Sequence, residues 1–292
     1  MRLLLTMIMM KLKHFFGFLF IAFLFACSSN NRKINSLSNI DTIEIRPDFK
    51  KYFDNCNAEG AIAIYDNNNH KWILSDTANT KKETLPASTF KIINLLIALE
   101  TKTISSESDI VKWPGSIDTL KYDNRPDIYH DITVKEAFEV SAGWAFIELA
   151  KKIGKKNYKK YLNLCHYGNQ NLSQKEADFW NFGAFGISPI NQVEFLKNMY
   201  DEKLPFSKRN IEIVKRVMIT EQNKEYTIHS KTGWTRANEM NTGWWTGYIE
   251  NKNGVYFFAT RLLQERKANR SDFGSCRKEI TKSVFKDLEI IN

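Results

Sequence analysis

The sequence predicts an α+β fold, with an antiparallel sheet of five to seven strands flanked by helices and a helical lobe inserted between its first and last strands. The order of the segments supports this prediction, because strands come first, helices follow, and further strands and one helix complete the chain. The early strands form only a hairpin, which must therefore join the late strands in one sheet. A cleft between sheet and lobe is the expected ligand site.

The first predicted element is this hairpin, because residues 60–66 (GAIAIYD) and 71–76 (KWILSD) flank an Asn-rich turn. Apolar residues at helical spacing then predict helices near residues 88–101, 133–153, 156–164, 189–202 and 208–220. Apolar or alternating patterns predict strands over residues 225–233, 242–250 and 254–263. An Asn-Gly turn joins the last two strands, and a C-terminal helix follows them.

The N-terminal segment has the pattern of a secretion signal, with basic residues, an apolar run and a small residue before Cys27. Its LFAC ending resembles a bacterial lipobox, which implies a signal peptide over residues 1–26 and lipidation of Cys27. An uncleaved membrane anchor is the alternative. We favour the lipoprotein because the run stops at a cysteine before a polar stretch. Residues 27–45 are then a polar tether and residues 46–292 the folded domain, exported to the periplasm and held by lipid.

The chain carries a formal net charge of +9, partly from the lysines of the KKIGKKNYKKY segment. These lysines most simply form the solvated face of an amphipathic helix. Nucleic acid is not an expected partner, because no basic motif is interleaved with aromatic residues. Anionic lipid headgroups or a small carboxylate ligand fit this charge better. Whether the protein is a monomer or a homodimer stays open.

The cysteines and histidines do not indicate a disulfide framework or a metal site. Apart from Cys27, three cysteines remain, Cys56, Cys165 and Cys276, so at most one bridge can form among them and its partners stay open. The five histidines show no ligand spacing. We therefore expect no metal cofactor.

Ser88 and Lys91 stand one helical turn apart, where an apolar helical run is about to begin. Residues three apart share a helix face, so both side chains project to the same side. A free serine is a weak nucleophile, and a neutral amine within hydrogen-bond reach would activate it. The motif is short, however, and a capping serine followed by a solvated lysine has the same pattern.

A second motif, Lys231-Thr232-Gly233, lies far downstream at a predicted strand edge. Gly233 would let the backbone of a ligand approach the strand closely, and Lys231 would supply a positive charge for a carboxylate. Alone, the triplet is weak evidence. Together and in this order, S-x-x-K and K-T-G are found in serine enzymes that recognise penicillins.

Five segments in one order then make the chain resemble a class D serine β-lactamase, a member of the oxacillinase family. They are LPASTFKIINLLIALET, EVSAGWAFIELAKKIG, Tyr167-Gly168-Asn169, ADFWNFGAFGISPINQVEFL and HSKTGW. The resemblance covers roughly residue 46 to the C-terminus. It implies the fold shared by serine β-lactamases and penicillin-binding transpeptidases, and hydrolysis of β-lactam antibiotics through an acyl-enzyme, with the resistance that this gives.

The resemblance assigns the central chemistry to Ser88, Lys91 and Trp180. It implies that Ser88 attacks the β-lactam carbonyl and that carbon dioxide, supplied as bicarbonate, converts Lys91 to N-carboxylysine, the general base. The residue types suit these roles, because only a neutral amine reacts with carbon dioxide and enclosure by apolar groups favours that form. Trp180 matches the family tryptophan whose indole N–H, a donor only, holds the carbamate. By residue type alone, Trp180 would be an ordinary core aromatic.

The remaining site residues also follow from the resemblance. Ser141 matches the serine that relays a proton to the lactam nitrogen. The substrate carboxylate is expected to contact the strand at Lys231, Thr232 and Gly233, together with Arg277 of the last helix. The backbone N–H groups of Ser88 and Trp234 are expected to form the oxyanion hole.

At Gly143 the sequence departs from the family pattern, which has a valine there. Losing that side chain would open the apolar cover over the carbamate, admit water and raise the pKa of Lys91. The triplet at residues 167–169 is expected to support the site, although a turn after the preceding helix explains it equally well.

Three other functions are less consistent with the sequence. A penicillin-sensing receptor domain shares the class D site but stays acylated and signals through several membrane helices, whereas this chain has one N-terminal apolar segment and no H-E-x-x-H. A D,D-peptidase shares S-x-x-K and K-T-G, but the segments around Tyr167 and Trp180 resemble class D. A metal hydrolase lacks spaced ligands.

Overall fold

The computed structural model describes residues 41–122, 124–237, 239–268 and 271–292. The predicted signal peptide, Cys27 and most of the predicted tether lie outside the described residues. Within them, no helix is long and apolar enough to cross a membrane.

The described chain follows the predicted order of strands, helices, strands and a final helix. Its strands are β1 (Thr42–Ile45), β2 (Glu59–Asp66), β3 (Lys71–Leu74), β4 (Ile110–Val111), β5 (Ile132–Thr133), β6 (Ile219–Gln222), β7 (Tyr226–Ala237), β8 (Met240–Asn251) and β9 (Gly254–Glu265). Its α-helices are α1 (Lys50–Asn55), α2 (Lys91–Glu100), α3 (Val134–Glu139), α4 (Gly143–Leu164), α5 (Pro189–Tyr200), α6 (Lys208–Val217) and α7 (Phe273–Asp287). The predicted α+β class, with its inserted helical lobe, is confirmed.

Seven strands form the main sheet in the order β1-β3-β2-β9-β8-β7-β6, so the early hairpin joins the late strands beside β9. All neighbours are antiparallel except β1 and β3, which run parallel. Placing residues 42–45 in the polar tether was wrong, because they form β1. This strand covers the edge of β3, where the N–H of Thr42 donates to the carbonyl of His70 and the N–H of Arg46 to that of Leu74.

Two apolar layers hold the sheet between helices, because successive residues of a strand face opposite sides. On β8, Trp244 and Tyr248 face the core shared with the helical lobe. Trp245 and Ile249 face the other core, which also contains residues of α7. The sheet is therefore covered by helices on both faces.

Two helix boundaries differ from the sequence-based prediction, and a third is confirmed. Residues 133–153 do not form one helix, because α3 ends at Glu139 and α4 begins at Gly143. The predicted break between residues 153 and 156 is present, because Gly154 inside α4 has a φ of 75° and a ψ of 152°, which are not helical. The predicted helix over 208–220 ends at Val217, and the strand β6 follows it.

The open question of cysteine pairing has a clear answer in the described residues. A disulfide joins Cys56, just after α1, to Cys276 in the first turn of α7. Cys165 is buried and free. The disulfide ties both helices of the outer layer together, directly before Arg277.

Candidate active site

Ser88 lies in a short 3-10 turn, Ala87–Phe90, that leads directly into α2. The turn is fixed on both sides. Ala87 has a φ of 51°, and its N–H donates to the carbonyl of Trp180 at 3.0 Å. Trp244 of β8 donates its indole N–H to the carbonyl of Leu85 at 2.9 Å. These contacts hold the serine between the sheet and the lobe, where the sequence predicted the cleft.

The strand β7 passes so close to this turn that only glycine fits at position 233. A Cβ on Gly233 would lie 2.8 Å from the carbonyl oxygen of Pro86 and 3.2 Å from the backbone nitrogen of Thr89. Such distances are shorter than ordinary contacts. The K-T-G glycine therefore brings the edge of β7 against the backbone of the serine turn.

Lys91 is the buried partner of Ser88, with its Nζ 2.7 Å from Ser88 Oγ. Its side chain sits beside the ring of Phe146, with Nζ 5.3 Å from the ring centroid, and the residue is 1% exposed. Burial disfavours the ammonium and lowers the pKa of Lys91 from 10.5 to about 7. A considerable fraction of the amine is therefore neutral near pH 7, as a base or a nucleophile toward carbon dioxide requires.

Trp180 lies in the same core and is 1% exposed. Its ring stacks on that of Phe90, with centroids 4.9 Å apart and planes 7° from parallel. Its indole Nε1 is buried and has no hydrogen-bond partner among the described residues. An unpaired buried N–H costs free energy, on the order of 1–3 kcal/mol. This indole is thus a donor available for an acceptor that the protein itself does not supply.

Ser141 and Lys231 meet across the cleft. Ser141 lies in the break between α3 and α4 with a φ of 60°, and its Oγ accepts a hydrogen bond from Lys231 Nζ at 3.0 Å. Lys231 is 4% exposed, and its pKa is lowered well below 10.5, first by burial and then by the charges of Lys91 and Arg277. The pair can therefore move a proton through the serine hydroxyl.

Arg277 reaches β7 from the N-terminal part of α7. Its Nη1 donates to the carbonyl of Gly233 at 2.6 Å, which places the guanidinium beside the K-T-G strand. Burial lowers its pKa to about 10, so it stays charged at neutral pH. Its Nε is buried without a partner among the described residues. Thr232, which precedes Gly233 in β7, is half-buried.

Trp234 forms the exposed end of this strand edge, with 37% of the residue accessible. Its indole N–H donates to Asn241 Oδ1 at 3.0 Å, and the ring packs against Phe273 with centroids 5.3 Å apart. β6 pairs only with residues 227–229 of β7, so it does not cover this part of the edge. The edge beside Ser88 is thus available to a ligand.

These residues surround an open cleft of about 210 Å³. Ser88, Ser141, Gly143 and Trp234 line it, and Lys91 and Lys231 are buried behind the two serines. A Cβ added to Gly143 would meet no atom within 4 Å, so the position is open, but Lys91 stays buried at 1% exposed. The structure brings the predicted site residues together, although six of them do not line the cleft: Lys91, Trp180, Lys231, Thr232, Gly233 and Arg277.

The Tyr167 segment supports the site from behind. Tyr167 donates to Gln192 Oε1 at 3.4 Å, and Gln192 Nε2 donates to Thr89 Oγ1 at 2.8 Å. Thr89 in turn donates to the carbonyl of Pro86 at 2.7 Å. The chain of hydrogen bonds ends in the serine turn, which agrees with the structural role predicted for this segment.

Sequence reasoning missed several residues of the cleft. Lys121, Tyr122 and Phe182 line it, and the first two contact the buried carboxylate of Asp178. Thr235 donates from Oγ1 to the carbonyl of Asn181 at 2.8 Å and so ties β7 to the turn after Trp180. The alternation of β7 would have placed Thr235 beside Gly233, but the pairing of Lys121 with Asp178 has no signal in the sequence.

Comparisons with known proteins all indicate one family for this chain. A family model for the penicillin binding protein transpeptidase domain matches residues 57–286. The β-lactamase OXA-10 of Pseudomonas aeruginosa is 38% identical over 232 residues, 78% of this chain and 85% of that protein. The regulatory protein BlaR1 of Bacillus licheniformis is 32% identical over 239 residues, 82% of this chain but 38% of the regulator.

Solved structures agree with the curated relatives. A class D β-lactamase from Sebaldella termitidis superposes with a TM-score of 0.81 at 38% identity, over 86% of this chain and 99% of that one. The class D β-lactamase FUS-1 (OXA-85) from Fusobacterium nucleatum subsp. polymorphum gives a TM-score of 0.78 at 30% identity, over 85% of this chain and 100% of that one. The chain therefore belongs to the class D β-lactamases, a family of hydrolases with the penicillin-binding transpeptidase fold.

Proposed function

We propose that this protein hydrolyses the β-lactam ring of penicillin-type antibiotics through an acyl-enzyme on Ser88, with N-carboxylated Lys91 as the general base. The observation that carries the proposal is the 2.7 Å contact between Lys91 Nζ and Ser88 Oγ, made by a lysine that is 1% exposed. An amine that is buried away from water beside a hydroxyl is the arrangement that a serine nucleophile needs.

The surroundings of Lys91 fit a carbamate. The lowered pKa, about 7, gives a neutral amine that can add carbon dioxide. A carbamate is an anion and requires donors, and the unpaired buried N–H of Trp180 supplies one. When formed, the group supplies a basic oxygen next to the serine hydroxyl. No metal is required for any step.

Acylation uses three groups of this chain. Ser88 Oγ forms a bond to the lactam carbonyl carbon as its proton passes to the base at position 91, and the backbone N–H groups of Ser88 and Trp234 stabilise the oxyanion. The C–N bond of the ring then breaks. Ser141, held by Lys231 at 3.0 Å, delivers a proton to the departing nitrogen.

Substrate orientation depends on positive charge along β7. Lys231, Thr232 and Arg277 lie on or beside the strand edge that Gly233 brings against the serine turn. A guanidinium and an ammonium would hold the carboxylate of a β-lactam there, while the strand backbone aligns the rest of the molecule. Water then gives a proton to the base at position 91 and attacks the ester carbonyl, and the bond to Ser88 Oγ breaks as that oxygen takes the proton back.

The proposed setting is outside the cytoplasm, where β-lactams act. The signal pattern over residues 1–26 and the lipobox-like ending support export to the periplasm and lipid attachment at Cys27, with hydrolysis there protecting the cell. Mass spectrometry of the protein from the membrane fraction should show a chain that begins at Cys27 and carries added acyl mass. A chain that keeps residues 1–26 would instead support the uncleaved anchor.

Hydrolysis of a chromogenic cephalosporin by the purified protein tests the proposal. We expect steady turnover that rises with added bicarbonate, loss of turnover in Lys91→Ala, and loss of acylation in Ser88→Ala. Lys152→Ala, which removes an exposed lysine, is the matched control and should behave as wild type. Full turnover by Lys91→Ala would refute the assigned base.

The two alternative functions give different results in the same assay. A sensor domain, suggested by the match to BlaR1, would release one equivalent of product in a burst and then stop, with or without bicarbonate. A D,D-peptidase would cleave a D-Ala-D-Ala peptide but would not turn over the cephalosporin steadily. Either result would contradict the proposed β-lactam hydrolysis and support the alternative function instead.

A further inference from the structure

The carboxylate of Asp178 is buried close to the cleft, with a side chain only 1% exposed. Lys121 Nζ lies 2.6 Å from its Oδ2, and the hydroxyl of Tyr122 donates to the same oxygen. Its Oδ1 has no hydrogen-bond partner among the described residues. A buried carboxylate is strongly unfavourable without a counter-charge, so Asp178 depends on Lys121 remaining in place.

Lys121 and Tyr122 belong to residues 117–122, which we call the wall segment. Ile117, Lys121 and Tyr122 line the same cleft as Ser88. The wall segment contains turns but no helix or strand, and Leu120 is fully exposed at 100%. Its position therefore depends on side-chain contacts with the rest of the protein.

The segment docks on the turn that follows Trp180. Lys121 Nζ lies 4.6 Å from the ring centroid of Phe182, and the ring of Tyr122 meets that of Phe182 edge-on at 5.9 Å. The carbonyl of Asp178 accepts the N–H of Asn181 at 2.8 Å, which fixes the turn. One short turn thus presents both the carboxylate and the aromatic ring that receive the wall segment.

We propose that Asp178 is a positioning residue for substrate binding, because it seats the wall segment through Lys121 and so retains substrate in the cleft. The substrate named here rests on the proposed function. Lifting the wall would separate the ion pair and expose Asp178 to water. The contact between Ser88 and Lys91 does not involve this network, so the proposal concerns KM rather than the chemical step.

Three variants test the proposal. Asp178→Asn keeps the size of the side chain and removes its charge, Lys121→Gln removes the partner, and the third combines both. We expect each single variant to raise KM about tenfold with kcat within about twofold, and the double variant to add little, because both changes break one interaction. Glu221→Gln, which breaks the 2.7 Å pair with Lys282 away from the cleft, should leave KM unchanged.

Limited proteolysis gives a second measurement that does not need β-lactam turnover. Trypsin cleaves after lysine, so we expect Asp178→Asn to be cut after Lys121 much faster than wild type or Glu221→Gln, as read by mass spectrometry. Thermal unfolding verifies that each variant is folded. If Asp178→Asn is not folded, Lys121→Gln decides the KM test.

An unchanged KM in the folded variants, or cleavage after Lys121 at the wild-type rate, would overturn the proposal. A fall in kcat with unchanged KM would also overturn it. If wild type does not turn over β-lactams, the proposed function fails, while the cleavage rates still decide whether Asp178 seats the wall segment.

Discussion

Lys231 donates a hydrogen bond to Ser141 across 3.0 Å, and this contact connects β7 of the sheet to the break between α3 and α4 in the helical lobe. Each residue is fixed from its own side, because Lys231 is 4% exposed and Ser141 has a left-handed backbone with a φ of 60°. The two layers of the fold thus share a hydrogen bond between two candidate site residues. Its geometry depends on the packing of lobe against sheet.

Ser141→Ala should lower kcat/KM for a chromogenic cephalosporin by about 10²-fold, because the departing nitrogen loses its proton donor. Lys231 also loses one of its two acceptors and keeps the carbonyl of Thr232 at 3.1 Å. Steady-state kinetics measures the effect, with Ser108→Ala, at an exposed serine, as the control. A kcat/KM equal to that of wild type would remove Ser141 from the mechanism.

Burial of Lys91 should make folding stability depend on pH. Its pKa is about 7 in the folded protein and near 10.5 in the unfolded chain, so the unfolded state holds the extra proton between these values. Stability therefore rises with pH through this range. In bicarbonate-free buffer, raising the pH from 7 to 9 should increase the free energy of unfolding of wild type by about 2 kcal/mol more than that of Lys91→Met.

Urea unfolding of both proteins at each pH measures this gain, and the comparison cancels the titrating groups that do not interact with Lys91. If the two free energies change in parallel with pH, Lys91 is not buried as an amine of lowered pKa.

Gly143→Val should reduce the need for added bicarbonate. The position is open, since a Cβ would meet nothing within 4 Å, so the larger side chain can cover the site without a clash at its first atom. A drier enclosure lowers the pKa of Lys91 further and favours the carbamate. We expect half-maximal activity at a lower bicarbonate concentration than in wild type, with Gly143→Ala in between. A higher concentration would contradict this account.

Arg277→Ala should raise KM by about tenfold for a β-lactam with a free carboxylate, and less for its methyl ester. The reason is that Arg277 places a buried guanidinium beside Gly233, 2.6 Å from its carbonyl. Lys286→Ala, at an exposed position of the same helix, is the control. Equal effects on acid and ester would mean that Arg277 supports β7 without recognising the carboxylate.

Local patterns predicted those parts of the site that local structure determines. Ser88 and Lys91 are one turn apart at a helix start, and Gly233 marks a strand with a close neighbour, so both could be inferred from residue type and spacing. The strands β7 to β9 could equally be inferred from their alternating patterns. The family resemblance then added Ser141, Trp180 and Arg277, which by residue type alone would be a helix-terminal serine, a core aromatic and a surface arginine.

Contacts between distant segments could not be predicted. β1 is a short strand in a polar region, and it forms because the edge of β3 offers unpaired backbone groups. The pairing of Cys56 with Cys276 needed the packing of α1 on α7, since three cysteines allow several bridges. The ion pair of Lys121 and Asp178 likewise depends on where two loops meet.

The central claim is that Lys91 is a neutral amine which becomes a carbamate beside Ser88. Carbon-13 NMR of the protein in labelled bicarbonate tests it most directly. We expect one carbamate signal in wild type that weakens as the pH falls below about 7, and none in Lys91→Ala. A wild-type protein that turns over β-lactams without any carbamate signal would contradict the claim.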